Sequence, residues 1–152
     1  MGCDIHIFPE YQVDGGAWQS HPDISIEVEG KGTPDEYTYI SYDSGVYRDY
    51  ELFAALAGVR GRGPAAKGIP TSISPLVAQV LEQWDCDAHS HSFMSLKAFQ
   101  KILEKNNYET EDMEMFKSCE RLTMELSQID QILLDCSKGS EIKWRVVFFF
   151  DN

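Results

Sequence analysis

Positive charge is what this chain has least of. Thirteen Lys and Arg stand against 25 Asp and Glu, a formal net charge of −12 at pH 7. A protein that tracks nucleic-acid phosphates needs a basic face, so the balance argues against that class. It leaves open an acidic surface that imitates nucleic acid toward a basic partner. Long apolar runs are also missing: no stretch of eighteen or more apolar residues occurs, and nothing reads as membrane-spanning. The four cysteines, Cys3, Cys86, Cys119 and Cys136, include no CxxC pair, so the spacing of a zinc knuckle is absent. The first apolar stretch is broken by Asp4 and His6 and does not read as a secretory signal. MGCDIH is not a lipid address either, because His6 stands where N-myristoylation wants Ser or Thr and no basic cluster lies beside it. The expectation is a cytoplasmic protein with reduced, separate thiols, no membrane contact, and no resident metal or cofactor.

What is present suffices for a core. Hydrophobic residues make up 43% and aromatics 12% of 152 residues. That length reads as one domain, 1–152, able to bury roughly 68–70% of its unfolded surface. Residues 3–13, CDIHIFPEYQV, alternate with Cys3, Ile5 and Ile7 on one face and Asp4, His6 and Phe8 on the other. That is strand periodicity, with Pro9 marking an edge or a bulge. Asp14-Gly15-Gly16 predicts a hairpin turn, 24–29 a further strand, and 37–42 either a strand or an ordered aromatic loop. Asp49 caps a helix that Gly58 stops, and 58–70 is glycine-rich loop. Ser74-Pro75 opens a second helix lined by Leu76, Val77, Val80, Leu81 and Trp84. Residues 85–92, DCDAHSHS, read as a polar loop, and a third helix should run from Ser95 to about Asn106.

The fourth helix is the longest. Thr110 can cap it, and Met115, Cys119, Leu122, Leu126, Ile129, Leu133 and Cys136 repeat at alternating spacings of four and three before Gly139. At 1.5 Å per residue, 110–136 spans roughly 40 Å, longer than the core of such a domain. The seam therefore packs on the sheet and its neighbours or joins copies into a homo-oligomer. The chain closes with IKWRVVFFFDN, apolar on both faces over its last half, which predicts a central strand beside the amino-terminal one. The expected architecture is a single α+β domain. Its small, mostly antiparallel sheet holds both terminal strands and is packed by about four helices.

Three groups of residues carry possible chemistry. Asp4 and His6 project to one side of the first strand, about 7 Å apart. Buried without partners they would cost several kcal/mol, so they pair, for instance Asp4 with Arg48 and His6 with a carbonyl, or they line a cavity. His89 and His91, flanked by Asp85, Cys86 and Asp87, have donors suited to zinc or another divalent ion, though helix capping by Ser92 or Ser95 explains the serines without chemistry. They do not reproduce the His-x-Ser/Thr pair of two-histidine phosphoesterases. Arg60 and Arg62, in VRGRGP with Arg48 nearby, suit an anion, since glycine admits backbone amides and the guanidinium fork matches phosphate oxygens. Balancing local acid explains them as well, and Walker spacing is absent. Tyr50 within the 37–50 tyrosine cluster, and Trp84, offer stacking surfaces or simply staple loops to the core.

The opening MGCDIH, the helix RDYELFAALAGVR, the Gly-Ile-Pro after it, HSHSF…SL and the final WRVVFFFDN resemble a family of small proteins encoded mainly by bacteriophages and prophages. The resemblance touches both ends and the middle, while 14–46 and the long helix are particular to this chain. It implies a setting, an accessory phage protein in the bacterial cytoplasm, and carries no activity with it. In that setting the expected function is sequestration of a nucleotide-like signal. Arg48, Arg60 and Arg62 would grip phosphates, Tyr50 or Trp84 would stack the base, and Asp4, His6, His89 and His91 would read polar edges. A metal-assisted or histidine-based phosphodiesterase degrading such a signal, with His6 and His91 as acid and base, is the alternative. An acidic inhibitor of a host nucleic-acid enzyme is a third.

Overall fold

Five consecutive residues, Val146, Val147, Phe148, Phe149 and Phe150, are each at most 2% exposed in the computed structural model of the chain. The structure describes residues 2–134 and 139–152, without the side chains of 129–134. Successive side chains of a strand point to opposite faces, so five buried in a row require a layer on each side. The elements in order are β1 (Ile5–Val13), β2 (Gln19–Ser20), β3 (Ser25–Glu29), β4 (Tyr37–Ser41), α1 (Tyr50–Ala57), α2 (Pro75–Trp84), β5 (His89–Ser95), α3 (Leu96–Lys105), α4 (Glu114–Leu134) and β6 (Ile142–Phe150). The main sheet runs β2-β1-β6-β5, and β3 and β4 form a separate pair. Every pairing is antiparallel. The α+β expectation holds, with both terminal strands adjacent in the sheet.

Leu52, Phe53 and Leu56 of α1, Phe99 and Leu103 of α3 and Met115 of α4 cover one face over Ile7, Val146, Phe148 and Phe150. Val77 and Val80 of α2 cover the other over Phe8, Val147 and Phe149, joined by Ile24 and, from the small hairpin, Ile26 and Ile40. Each such side chain contributes about 1.5–3 kcal/mol by leaving water. Local signals start and stop the helices as expected. Asp49 accepts from the Glu51 and Leu52 amides, Gly58 closes α1 at φ 70°, and Ser74 and Ser95 cap α2 and α3. Pro9 sits where β1 is nearly an edge. Its carbonyl accepts from His21 N beside the two-residue β2, so its missing N–H also faces that short pairing and not β6.

Of the two readings open for 37–42, the strand holds, as β4 over Tyr37–Ser41. Two expectations need correction. Much of 85–92 is not loop: a short 3₁₀ turn at Asp85–Asp87 leads into β5, which pairs with β6. Polar side chains suggested a loop, but pairing uses backbone groups, and β6 had a second edge to satisfy. A register irregularity between His89 and Ser92, with Ser90 at φ 52°, absorbs the poor fit. Thr110 does not cap the long helix, which starts at Glu114. Its hydroxyl donates to Glu104 Oε1 at 2.7 Å, and its carbonyl accepts from Met113 N in a preceding turn. Met115 and Cys119 of the seam are buried in the chain's own core, burial pushing the Cys119 thiol up to about 12. Leu122 and Leu126 are half-buried; the side chains of Ile129 and Leu133, and Cys136 altogether, lie outside what the structure describes.

One polar network ties the layers. Glu10 and Arg145 face each other across β1 and β6, and are 0% and 9% exposed. Arg145 Nε donates to Glu10 Oε2 at 2.8 Å, and Nη2 donates to the Ser72 carbonyl. Glu10 Oε1 accepts from Ser74 N at 2.7 Å, and the Trp18 ring covers the guanidinium at 3.9 Å. Sequence reading gave this pair no role. Arg145→Met should lower unfolding free energy by about 3–5 kcal/mol by stranding a buried carboxylate, and adding Glu10→Leu should restore most of it. Urea denaturation of the single and double variants checks that order.

Candidate functional site

Antiparallel register brings His6 and His89 to one end of the sheet. His6 lies opposite Phe149, and both Ile5 and His89 lie opposite Phe150. The side-chain period of two then divides them between faces. His6 points to the α2 face, its ring 4.5 Å from Trp84 and stacked at 4.8 Å on Phe149. Its Nε2 lies 2.9 Å from Asp151 Oδ2. A carboxylate only accepts, so the imidazole N–H donates and Nδ1 is left as the second ring nitrogen. Asp151 Oδ1 also accepts from Asp4 N at 2.8 Å, and Asp151 N donates to the Asp4 carbonyl. Asp151 is the site residue that sequence reading missed. Its signal was the DN tail, which antiparallel pairing of the two terminal strands must set beside Asp4.

Cys3 and His89 occupy the opposite face. The Cys3 thiol is fully buried, 3.8 Å from His89 Nε2, and burial followed by Asp151 pushes its pKa up. That is the reverse of an activated thiolate. Cys3 N donates to Tyr50 Oη at 3.2 Å, and the Arg60 guanidinium covers the Tyr50 ring at 4.7 Å. Tyr50 is thus already stacked. Arg48 grips Asp4 through both oxygens, at 2.9 and 2.6 Å, at the rim between the faces. That fork holds the Asp4 carboxyl below its ordinary value and raises Arg48. The guanidinium lies so close over Gly2 that a Cβ there would sit 2.1 Å from Nη1. Arg62 is exposed in the glycine-rich loop.

His91 is half-buried, its ring 5.6 Å from Phe149, so both His6 and His91 rest on that one phenyl ring. Among the described residues, no three His, Cys, Asp or Glu side chains group to hold a metal ion, and no helix is long and apolar enough to cross a membrane. A cleft of about 550 Å³ opens beside His6. It is lined by Gln83, Trp84 and Asp87 on one side and by Thr38, Tyr39 and Ile40 of β4 on the other. Of the nine candidates this cleft gathers His6 and Trp84. Arg48, Tyr50, Arg60 and His89 meet around Cys3 and Asp4 instead.

Asp151→Ala removes a charge-assisted bond from His6 and one from the Asp4 amide, and should cost about 1.5–3 kcal/mol. Arg48→Ala breaks a half-exposed pair and should cost under about 1 kcal/mol. Urea unfolding of both variants tests that ranking. His91 is held below its ordinary 6.5, by burial first and His89 second. A depressed value adds stability that is present above the unfolded pKa and lost as pH falls through the folded one. Acidification from neutrality to about pH 5 should therefore weaken the fold less in His91→Gln than in the parent, and an NMR titration should place the His91 midpoint below 6.5. Compared with protein-family models, with curated proteins and with solved structures, the chain finds no match.

Proposed function

We propose that this chain is a phage accessory protein of the bacterial cytoplasm that binds and sequesters a phosphorylated small molecule, a nucleotide-derived immune signal. The observation that carries the reading is the His6 clamp. An imidazole held between Trp84 and Phe149 and tethered to Asp151 walls a cleft that also contains Tyr39. At about 550 Å³ the cleft falls within the range of small-molecule sites, roughly 300–1,000 Å³. Aromatic surfaces stack a planar ring, while Gln83, Thr38 and the Asp87 carboxylate answer its polar edge. The cleft's lining holds neither Lys nor Arg, so it brings no fixed positive charge to a phosphate. The arginines expected to hold phosphate lie outside this lining: Arg48 is on Asp4, Arg60 covers the Tyr50 ring, and Arg62 is exposed in the glycine-rich loop. Self-association through 110–136 belongs to the same proposal. Its contacts begin beyond Cys119, whose side chain the chain's own core consumes.

One observation favours turnover instead. A carboxylate bonded to one imidazole nitrogen orients the other as a general base, as catalytic dyads do, and Asp151 stands in that relation to His6. In that second reading the protein is a phosphodiesterase, with His91 as the acid. Incubation with a panel of cyclic and ADP-ribose-derived nucleotides, followed by heat denaturation and chromatography, separates the two. Recovery of intact nucleotide with the protein means sequestration, altered nucleotide means catalysis, and nucleotide neither retained nor altered overturns both. Trp84→Ala should weaken binding by about tenfold, equivalent to 1.4 kcal/mol. Light scattering should report a mass above one chain.

A further inference from the structure

The opposite end of the sheet holds a second cleft. Strand β5 stops at Ser95, opposite Arg145, and the chain turns directly into α3. Strand β6 starts earlier, so Lys143 and Trp144 pair with Gln12 and Tyr11 of β1 while no β5 residue lies opposite them. The notch this leaves is a cleft of about 460 Å³ walled by Trp18, Phe93, Met94 and Trp144. All four are half-buried. Two basic side chains, Lys67 and Lys143, also line it, with Arg145 beneath. We infer that this cleft is a binding site for a flat anionic small molecule, an aromatic ring carrying a sulfonate, carboxylate or phosphate group.

The walls are held in place before any ligand arrives. Trp18 lies on the Arg145 guanidinium, which Glu10 fixes from below. The Trp144 indole N–H donates to Thr123 Oγ1 at 2.7 Å, and its ring packs 5.3 Å from Tyr11. Rigid rings lose little freedom on binding, which lowers the cost of association. The lysines are differently placed. Lys67 N donates to Ser92 Oγ and Gly68 N to the His91 carbonyl, pinning the loop so that Lys67 Nζ lies 5.5 Å over Phe93. Lys143 Nζ is 3.5 Å from Glu141, both side chains more than 60% exposed. A pair that exposed is worth little and yields readily to a stronger anion.

Charge selects the ligand. On a chain of net charge −12, a neutral or cationic ring would meet acid almost anywhere, yet this aromatic notch is lined by three of only thirteen basic residues. Arg145 is neutralised by Glu10, so the anion is met by Lys67 and Lys143. The site is independent of the His6 cleft: the two share no lining residue.

8-Anilinonaphthalene-1-sulfonate tests the inference, with N-phenyl-1-naphthylamine, the same rings without the sulfonate, as its partner probe. Tryptophan-sensitised fluorescence should show the sulfonate bound and the neutral probe held at least about tenfold more weakly. The Lys67→Gln/Lys143→Gln double variant should lose about tenfold in sulfonate affinity, keep its melting temperature, and bind the neutral probe as the parent does. Trp84→Ala should leave sulfonate binding intact. Equal binding of the two probes by the parent, indifference of the sulfonate to the lysine changes, or its loss in Trp84→Ala would each overturn the inference.

Discussion

A strand that is apolar on both faces and paired along both edges is the constraint from which the rest of this structure follows. Residues 146–150 of β6 can be dry only in the middle of a sheet with a layer above and below. The helices α1, α3 and the start of α4 supply one layer, and α2 with the small hairpin supplies the other. The two edges of β6 must also be paired, because an unsatisfied buried amide or carbonyl costs as much as a lost hydrogen bond. β1 and β5 meet that demand with backbone groups. Their side chains come along whatever their polarity, and that is how histidines come to lie, half-buried, against a phenylalanine-rich strand.

Polar groups drawn in this way have to be answered, and the two ends of the sheet answer differently. At one end Glu10 and Arg145 neutralise each other directly across the strands and also hold the start of α2 and the Trp18 ring. At the other, Asp151 divides one carboxylate between an imidazole and a main-chain amide, while Asp4 is taken up by Arg48. The first solution is buried and rigid. The second is partly wet, and it lies beside the cleft that His6 walls. Each end thus pairs a fixed charge with a fixed aromatic wall, Trp84 in one case and Trp18 in the other.

Much of the architecture was legible residue by residue. Asp49, Gly58, Ser74-Pro75 and Ser95 are local signals that act through the nearest backbone amides and carbonyls, so they mean the same thing in any fold. The alternation in CDIHIFPEYQV and the doubly apolar FFF tail are likewise properties of the chain itself. HSHS misled, because side-chain polarity says nothing about whether a neighbour offers backbone partners. Thr110 misled because the helix begins only at Glu114, after a turn in which the Thr110 carbonyl takes the Met113 amide. Its hydroxyl donates to Glu104, a residue close only once α3 is in place.

The candidate site divides along the same line. The sequence by itself determined which residues bear charge, which carry rings, and that Asp4 and His6 leave the same side of one strand. It also made Arg48 a reasonable partner for Asp4. The tertiary structure alone decided that Asp151 meets His6, that Glu10 meets Arg145, and that Arg48 and Arg60 lie on Asp4 and Tyr50 and not in the cleft beside Trp84. Periodicity assigns a side chain to a face of its own element. Which other face it meets depends on register between strands more than a hundred residues apart, and register is set by the packing of the whole.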